Sequence, residues 1–425
     1  MTVATSQYLD VDCLQVGHFV SIDLGWTKHP FPLNSFKINS PEQIATIRSL
    51  GIKRIRFDPE RSDLRSRNVI LSAASLQSST IDSGSAPDPA TVQRRQLLAQ
   101  QRASLQLCER QFGNAVNAYR QLVQSMRTSP SSAREAAESL AEYLVGQLSG
   151  DQETCIRLLS EKVGERPSLH AINVAILSLL LGKFCGCDQF VMKEICVAAL
   201  LHDCGKFDLP DRLRHQQQFQ SSSEQRLFEE HVKYGVSLAR RMGVSPGAML
   251  IIGQHHECAD GTGYPAHIKN DSLLPGSRIV GLVNRFDNLC NPSNPTLAMT
   301  PHEALAQLFA QAKAKFDVGV LNAFVRMMGV YPPGSFVQLD DERYALVVSV
   351  NSSRPLKPRI MVHDAGILPE DALVIDLERE PTLGIRRSLK PLQLPRASVD
   401  YLSPRQRVSY FFEDAECTDE KGLVL

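Results

Sequence analysis

The sequence predicts a mainly α-helical protein, with a small α/β unit before the helices and a small β-rich unit after them. Three observations carry this. Apolar residues recur at helical spacing through most of residues 91–330. Short alternating stretches rich in Val, Ile and Phe lie within 9–60 and again beyond 331. A run rich in Ser, Ala, Asp and Pro at 61–90 has too little apolar surface to bury a core and separates the first unit from the helices.

A chain of 425 residues fits two to three domains. Its 46 Lys and Arg balance 46 Asp and Glu, so no overall basic field points to polymeric nucleic acid. The ten cysteines are scattered, several of them within apolar helical patterns. This reads as reduced thiols in a cytoplasm, not a disulfide framework. The N-terminus has neither the basic start nor the apolar centre of a signal peptide. The apolar run near 171–181 is too short to span a bilayer, so no membrane association is expected.

Residues 1–60 form the α/β domain. LQVGHFVSIDL alternates like a strand. Ser40 caps a helix, Pro41 takes its first position and Gln43 closes a capping box; Gly51 ends it. IKRIRFD is the next strand. His29, near Trp26 and Phe31, reads as a packing or turn residue. Residues 61–90 are a flexible linker. Across 91–132, Leu97, Leu98, Leu105, Phe112, Val116, Tyr119 and Val123 define an amphipathic connecting helix, broken at Thr128–Ser132. It packs either within the chain or against a second copy in a homodimer. Two more helical segments fill 133–168, and the helical domain runs over 133–330. Beyond 331, SFVQL, YALVVSV, RIMVHD and ALVIDL are strands, and the tail from about 385 reads as loop with a short helix.

Five of the eleven histidines fall between 170 and 265. His170 heads one apolar helical pattern, His202-Asp203 end a second, and His255-His256 end a third; His231 lies between. Neutral imidazoles with a carboxylate suit first-row divalent metals such as iron or manganese. An Asp can bridge two metals, and such a pair can clamp a phosphoryl group during in-line attack. Ligands on three helices converge only inside a bundle. The adjacent His255 and His256 point about 100° apart on a helix, so both can ligate only where the helix ends. Asp260-Gly261-Thr262-Gly263 supplies such an ending.

The ordered set LLHDCGK, HHE and DGTGYP resembles the HD-GYP family of metal-dependent phosphohydrolases, over roughly residues 133–330. The N-terminal stretch is similar to a small domain of unknown function that often precedes that family. The resemblance implies an HD-type helical bundle, two divalent metal ions, and hydrolysis of cyclic di-GMP or a related phosphodiester by a metal-activated hydroxide. It implies His170, His202, Asp203, His231, His255 and His256 as ligands, with Asp203 as the bridge. Asp203 and Lys206 would be catalytic, Lys206 holding a phosphate oxygen. Glu257 would orient a histidine, and Asp287 would lie behind the ligands. The loop of Asp260, Gly261, Gly263, Tyr264 and Pro265 would flank the site and, with the N-terminal domain, offer protein contacts. Arg278 would bind substrate.

The chain departs from the family in three places. Asn284 stands where the family has an Asp ligand; a neutral amide is a weaker donor beside two cations. Residues 293–297, basic in many members, carry no cation here. Arg166 stands where some members place a Glu for a third metal, so two metals are the expected maximum. Two readings follow: an active phosphodiesterase, or a degenerate HD-GYP protein that binds metal or nucleotide as a regulatory or scaffold module.

Overall fold

The chain divides into two units, residues 1–87 and 88–425. The computed structural model describes residues 7–414 except 12–13, 22–34, 39–40, 51, 53, 59–61, 63–88, 149–152, 161–165, 215, 217–218, 312 and 403–406. In the first unit, β1 (Gln7–Asp10), β2 (Phe19–Ser21), β3 (Ser35–Lys37) and β4 (Arg54–Asp58) form an antiparallel sheet in the order β1-β4-β2-β3. Helix α1 (Pro41–Ser49) contributes Ile47 to a small core with Val11, Leu14, Val20, Ile38 and Ile55. Within the described part of the strand expected over 14–24, pairing is at Phe19–Ser21; residues 22–24 lie outside the described residues. Ser40, Gly51, Trp26, His29 and most of the 61–90 linker lie outside the described residues.

The second unit opens with α2 (Pro89–Ser125), which buries Cys108, Phe112, Ala115, Val116, Tyr119 and Leu122 within the chain. A turn at Met126–Ser129 leads to α3 (Pro130–Gln147), with Pro130 in its first turn. The two helical segments expected over 133–168 are corrected: after α3 comes a strand, β5 (Thr154–Leu158). TCIRL is too short to stabilise a helix alone. As a strand it pairs on one side with residues 349–351 and on the other with 410–414. Partners about 200 and 250 residues away along the chain therefore decide its state.

Helix α4 (Arg166–Phe184) is apolar on nearly all sides and buried from Ser168 to Leu181. A helix apolar all round belongs inside a fold. Its 167–184 window is long and apolar enough to cross a membrane by composition, yet 83% of it is buried within the protein. Helix α5 (Gln189–Leu201) packs along it. There follow α6 (Asp211–Arg214), α7 (Ser222–Glu229), α8 (His231–Met242), α9 (Pro246–Gln254), α10 (Pro275–Cys290), α11 (Pro301–Gln311) and α12 (Val318–Met328). Side chains set where several begin. Asp188, Ser221, Ser245 and Asp317 accept the backbone N–H of Val191, Glu224, Ala248 and Val320 at the starts of α5, α7, α9 and α12. Gly243, at φ 77°, ends α8 in the left-handed conformation.

The β-rich region follows as β6 (Phe336–Leu339), β7 (Tyr344–Asn351), β8 (Arg359–Val362), β9 (Val374–Asp376), β10 (Ile385–Leu389), α13 (Arg396–Leu402) and β11 (Tyr410–Asp414). With β5 they make a seven-stranded sheet, in the order β10-β6-β7-β5-β11 with β8 and β9 branching from β7. The tail expected to be loop with a helix thus also supplies two strands, β10 and β11. Phe336, Leu346, Phe411 and Phe412 join the helical core, while Val337, Leu339, Val347 and Ile360 form a second, smaller core.

Gly205 lies in the 3-10 turn Cys204–Asp208, pressed against α8. A Cβ there would stand 1.9 Å from His231 O and 2.4 Å from Gly235 N, both backbone atoms. Gly205→Ala should lower the unfolding free energy by about 2 kcal/mol or more, read from urea midpoints. A loss below about 0.5 kcal/mol would mean that α8 can move away freely.

Candidate metal centre

Three of the histidines follow closely on the end of a helix. His202 is the residue after α5, His255 the residue after α9, and His231 comes two residues after the end of α7, beyond Glu230, and opens α8. Last-turn carbonyls of a helix lack intrahelical donors. Each histidine uses one: His202 Nδ1 to Ala199 O at 2.7 Å, His231 Nδ1 to Phe228 O at 2.6 Å, and His255 Nδ1 to Ile252 O at 2.7 Å. A carbonyl only accepts, so each Nδ1 carries the proton and each neutral ring turns an Nε2 lone pair inward. His170, in the second turn of α4, instead donates from Nδ1 to Asp287 Oδ2 at 2.6 Å.

These Nε2 atoms surround Asp203. Oδ2 faces His170 Nε2 at 3.7 Å and His202 Nε2 at 3.5 Å; Oδ1 faces His231 Nε2 at 3.6 Å and His255 Nε2 at 3.9 Å. Two donor groups result, His170-His202-Asp203 and Asp203-His231-His255-His256, with Asp203 common to both. Burial lowers the imidazoles, His202 to about 4 and His231 and His255 to about 3. Burial would raise the Asp203 carboxyl, but Lys206 Nζ at 2.5 Å and the imidazoles hold it well below the usual carboxylate range.

The donor set fits divalent metal. Asp203 Oδ1 and the Nε2 atoms of His231, His255 and His256 are buried without hydrogen-bond partners. His170 Nε2 and His202 Nε2 lie 3.2 Å apart, and neutral rings so placed repel through their lone pairs unless a cation joins them. Asn284, the weak or lost ligand, is buried beside this space. Its Oδ1 already accepts from Asn288 Nδ2 at 2.7 Å.

The loop after His256 is built around its glycines and acids. Thr262 donates from N and Oγ1 to Asp260 Oδ1, and Gly261 turns at φ 80°. A Cβ on Gly263 would lie 2.3 Å from Cys258 N, so only glycine fits. Tyr264 stacks on His256 at 4.7 Å and precedes Pro265 through a cis peptide bond. Two expectations change here. Among the described residues Glu257 bonds to no histidine; it accepts from Ala266 N at 2.6 Å and Ile268 N at 3.1 Å and so ties down the loop's exit. Arg278 is not at the site: it pairs with Asp317 at 3.1 Å and donates to Asn270 O at 2.7 Å.

Asp287, expected behind the ligands, accepts from His170 Nδ1, and it is held in turn by two asparagines. Asn173 and Asn291 donate to its Oδ1 at 3.0 and 2.8 Å, and both also donate to Val408 O. Val408 N and Tyr410 N donate back to the two Asn side-chain oxygens. The available signal was Asn173, a polar residue inside an apolar helix three positions after His170.

A cavity flanks the cage in two lobes. The first, about 540 Å³, is lined by Lys206, Arg214, Phe219, Phe228 and Asn284 among others. The second, about 590 Å³, includes His255, Glu257, Lys315 and Phe316. His256, Tyr264, Gly281, Arg285 and Leu289 line both.

Residues 153–320 match the HD domain family, and residues 6–137 match a domain of unknown function, DUF3391. The histidine-aspartate cage lies within the stretch that matches the HD domain. The chain thus carries a stretch matching the HD domain, preceded by one matching DUF3391. A cyclic di-GMP phosphodiesterase of Pseudomonas aeruginosa is 25% identical over 377 residues, 87% of this chain and 89% of that protein. A cyclic di-GMP phosphodiesterase of Borreliella burgdorferi is 25% identical over 192 residues, 45% of this chain and 51% of that protein. A 3′3′-cGAMP-specific phosphodiesterase of Vibrio cholerae is 29% identical over 150 residues, 35% of this chain and 29% of that protein.

The lowered imidazoles give the metal-free protein a defined pH response. Unfolded histidines take up protons near 6.5, whereas these three do so only near 3 to 4. The unfolded state therefore binds more protons between those values, and stability falls as pH drops from about 6.5 toward 4. The slope should approach about 1.4 kcal/mol per pH unit for each histidine. Urea midpoints of chelator-treated protein at pH 7.5, 6 and 5 measure this, and a flat profile would mean that the rings charge in place.

Proposed function

We propose that this chain is a metal-dependent phosphodiesterase that hydrolyses cyclic di-GMP or a related phosphodiester. The observation that carries the reading is the donor set. Buried, unpartnered Nε2 atoms and both oxygens of Asp203 converge beside a cavity lined by cations. His170, His202 and Asp203 would hold one ion, with Asn284 as a weak further donor; His231, His255, His256 and Asp203 would hold a second. Nitrogen-oxygen donor sets of this kind suit iron or manganese. When bound, such ions supply Lewis acidity toward a phosphoryl oxygen and a water made acidic enough to attack phosphorus.

The chain's own residues do the rest. Asp287 fixes the tautomer and angle of His170. Lys206 lines the first lobe and holds a non-bridging phosphate oxygen as charge builds there. Tyr264 packs on His256 and keeps that ring in place. Arg166 stands at the start of α4, at the position where some HD-GYP proteins carry a Glu for a third metal, and we assign no third ion. The loop around Tyr264 and the N-terminal domain are the surfaces we assign to protein partners. The described cysteines are all free thiols, in keeping with a reducing cytoplasm.

One observation favours a second reading, a metal-binding regulatory or scaffold module without turnover. Asn288 already occupies the amide oxygen of Asn284, so the position that would carry a charged ligand contributes none.

Protein purified without oxygen, supplied with manganese or ferrous iron, is expected to retain two ions per chain and to hydrolyse cyclic di-GMP. Asp203→Ala should abolish both. Asn284→Asp should tighten metal retention about tenfold or more, measured against a competing chelator. Two bound ions with no turnover in the wild type would favour the regulatory module instead.

A further inference from the structure

Arg285 stands where the two lobes of the cavity meet. It follows Asn284 on α10, is exposed, and lines both lobes together with His256 and Tyr264. Among the described residues it has no hydrogen-bond or ion-pair partner.

The other cations of the first lobe have partners within the protein, and Lys206 serves the phosphate being cleaved. Lys206 pairs with Asp203 at 2.5 Å. Arg214 donates to the carbonyls of Lys206, Phe207 and Leu209 and pairs with Asp211 at 2.8 Å. Among the described residues no Asp or Glu lines this lobe, and Ser293 and Leu297 on its rim add no charge. In the second lobe, Lys315 is offset by Glu229 and Glu257. The guanidinium without a counter-ion therefore lies at the junction, next to the cage.

A cyclic dinucleotide carries two phosphates joined in one ring and two bases that project to either side. With one phosphate at the cage, its second phosphate needs a cation nearby. Its bases need two recesses, each of a size that takes a small ligand. Lobes of about 540 and 590 Å³ on either side of Arg285 meet that requirement, with Phe219 and Phe228 in one and Phe316 in the other. Aromatic faces of this kind stack bases without regard to sequence.

We propose that Arg285 is the specificity-determining residue of this site: it pairs through its planar fork with the phosphate that is not cleaved, and so selects cyclic dinucleotides over diesters with a single phosphate. This rests on the phosphodiesterase reading above.

The test compares cyclic di-GMP with bis(p-nitrophenyl) phosphate, a diester with one phosphate, in manganese-loaded wild type, Arg285→Ala and Arg285→Lys. Equilibrium binding of cyclic di-GMP to metal-free protein is measured in parallel. In Arg285→Ala, kcat/KM for cyclic di-GMP should fall at least tenfold further than for the small diester. The loss should be carried mainly by KM, and binding should weaken by a similar factor. Arg285→Lys should recover part of it, since a point charge lacks the fork. Equal losses on both substrates, or no loss on either, would overturn the assignment of Arg285 and leave the phosphodiesterase reading intact. Wild type that hydrolyses the small diester but neither binds nor cleaves cyclic di-GMP would overturn it as well. Wild type inactive on both would count against the phosphodiesterase reading itself.

Discussion

The structure of the second unit depends on one constraint, the direction of the protons on its histidines. Ala199 O, Phe228 O and Ile252 O, in the last turns of α5, α7 and α9, each take an Nδ1 proton from the histidine three residues on. Lone pairs then face inward on three sides, and His170 brings a fourth ring. The helix ends thus solve two problems together: orphaned carbonyls gain donors, and the cage gains acceptors. Burial keeps these rings neutral, which is the form that binds metal.

That arrangement needs a rigid frame. Helix α4 runs through the middle of the unit, so His170 is set by packing on α5, α10 and β11. The C-terminal strand takes part directly. Val408 and Tyr410 exchange hydrogen bonds with Asn173 and Asn291, which hold the carboxylate of Asp287, which holds His170. Buried and mutually satisfied, this network transmits the position of β11 to a donor of the cage. The seven-stranded sheet is for that reason part of the site's support.

Around the cage, close backbone approach and open space are used in turn. Gly205 lets the turn after Asp203 touch α8, and Gly263 lets the loop fold back on Cys258. The stack of Tyr264 on His256 then forms a wall shared by the two lobes of the cavity. Two neutral substitutions, Asn284 and the segment 293–297, reduce the charge available for metal and phosphate. Lys206, Arg214 and Arg285 keep the adjacent lobe cationic.

Much of this was legible in the chain. His170, His202, Asp203, His231, His255 and His256 were readable because their spacing ties each to a helix end, and helix ends follow local rules of capping and glycine placement. The helical bundle, the four strands between 335 and 377 and the small α/β unit were legible for the same local reason. The strand state of Thr154–Leu158, the strands at 385–389 and 410–414, and the partners of Glu257, Arg278 and Asp287 were not. Most depend on an atom far away in sequence: Asn173 for Asp287, Asp317 for Arg278, residues 349–351 and 410–414 for β5; the partners of Glu257, nine and eleven residues on, depend on how the loop folds back. The sequence by itself determined which side chains can bind metal and which backbone groups fix the tautomers of His202, His231 and His255, because those interactions span three residues. Only the tertiary structure decided which carboxylates and cations remain uncommitted at the site, because that depends on every long-range partner having already been chosen.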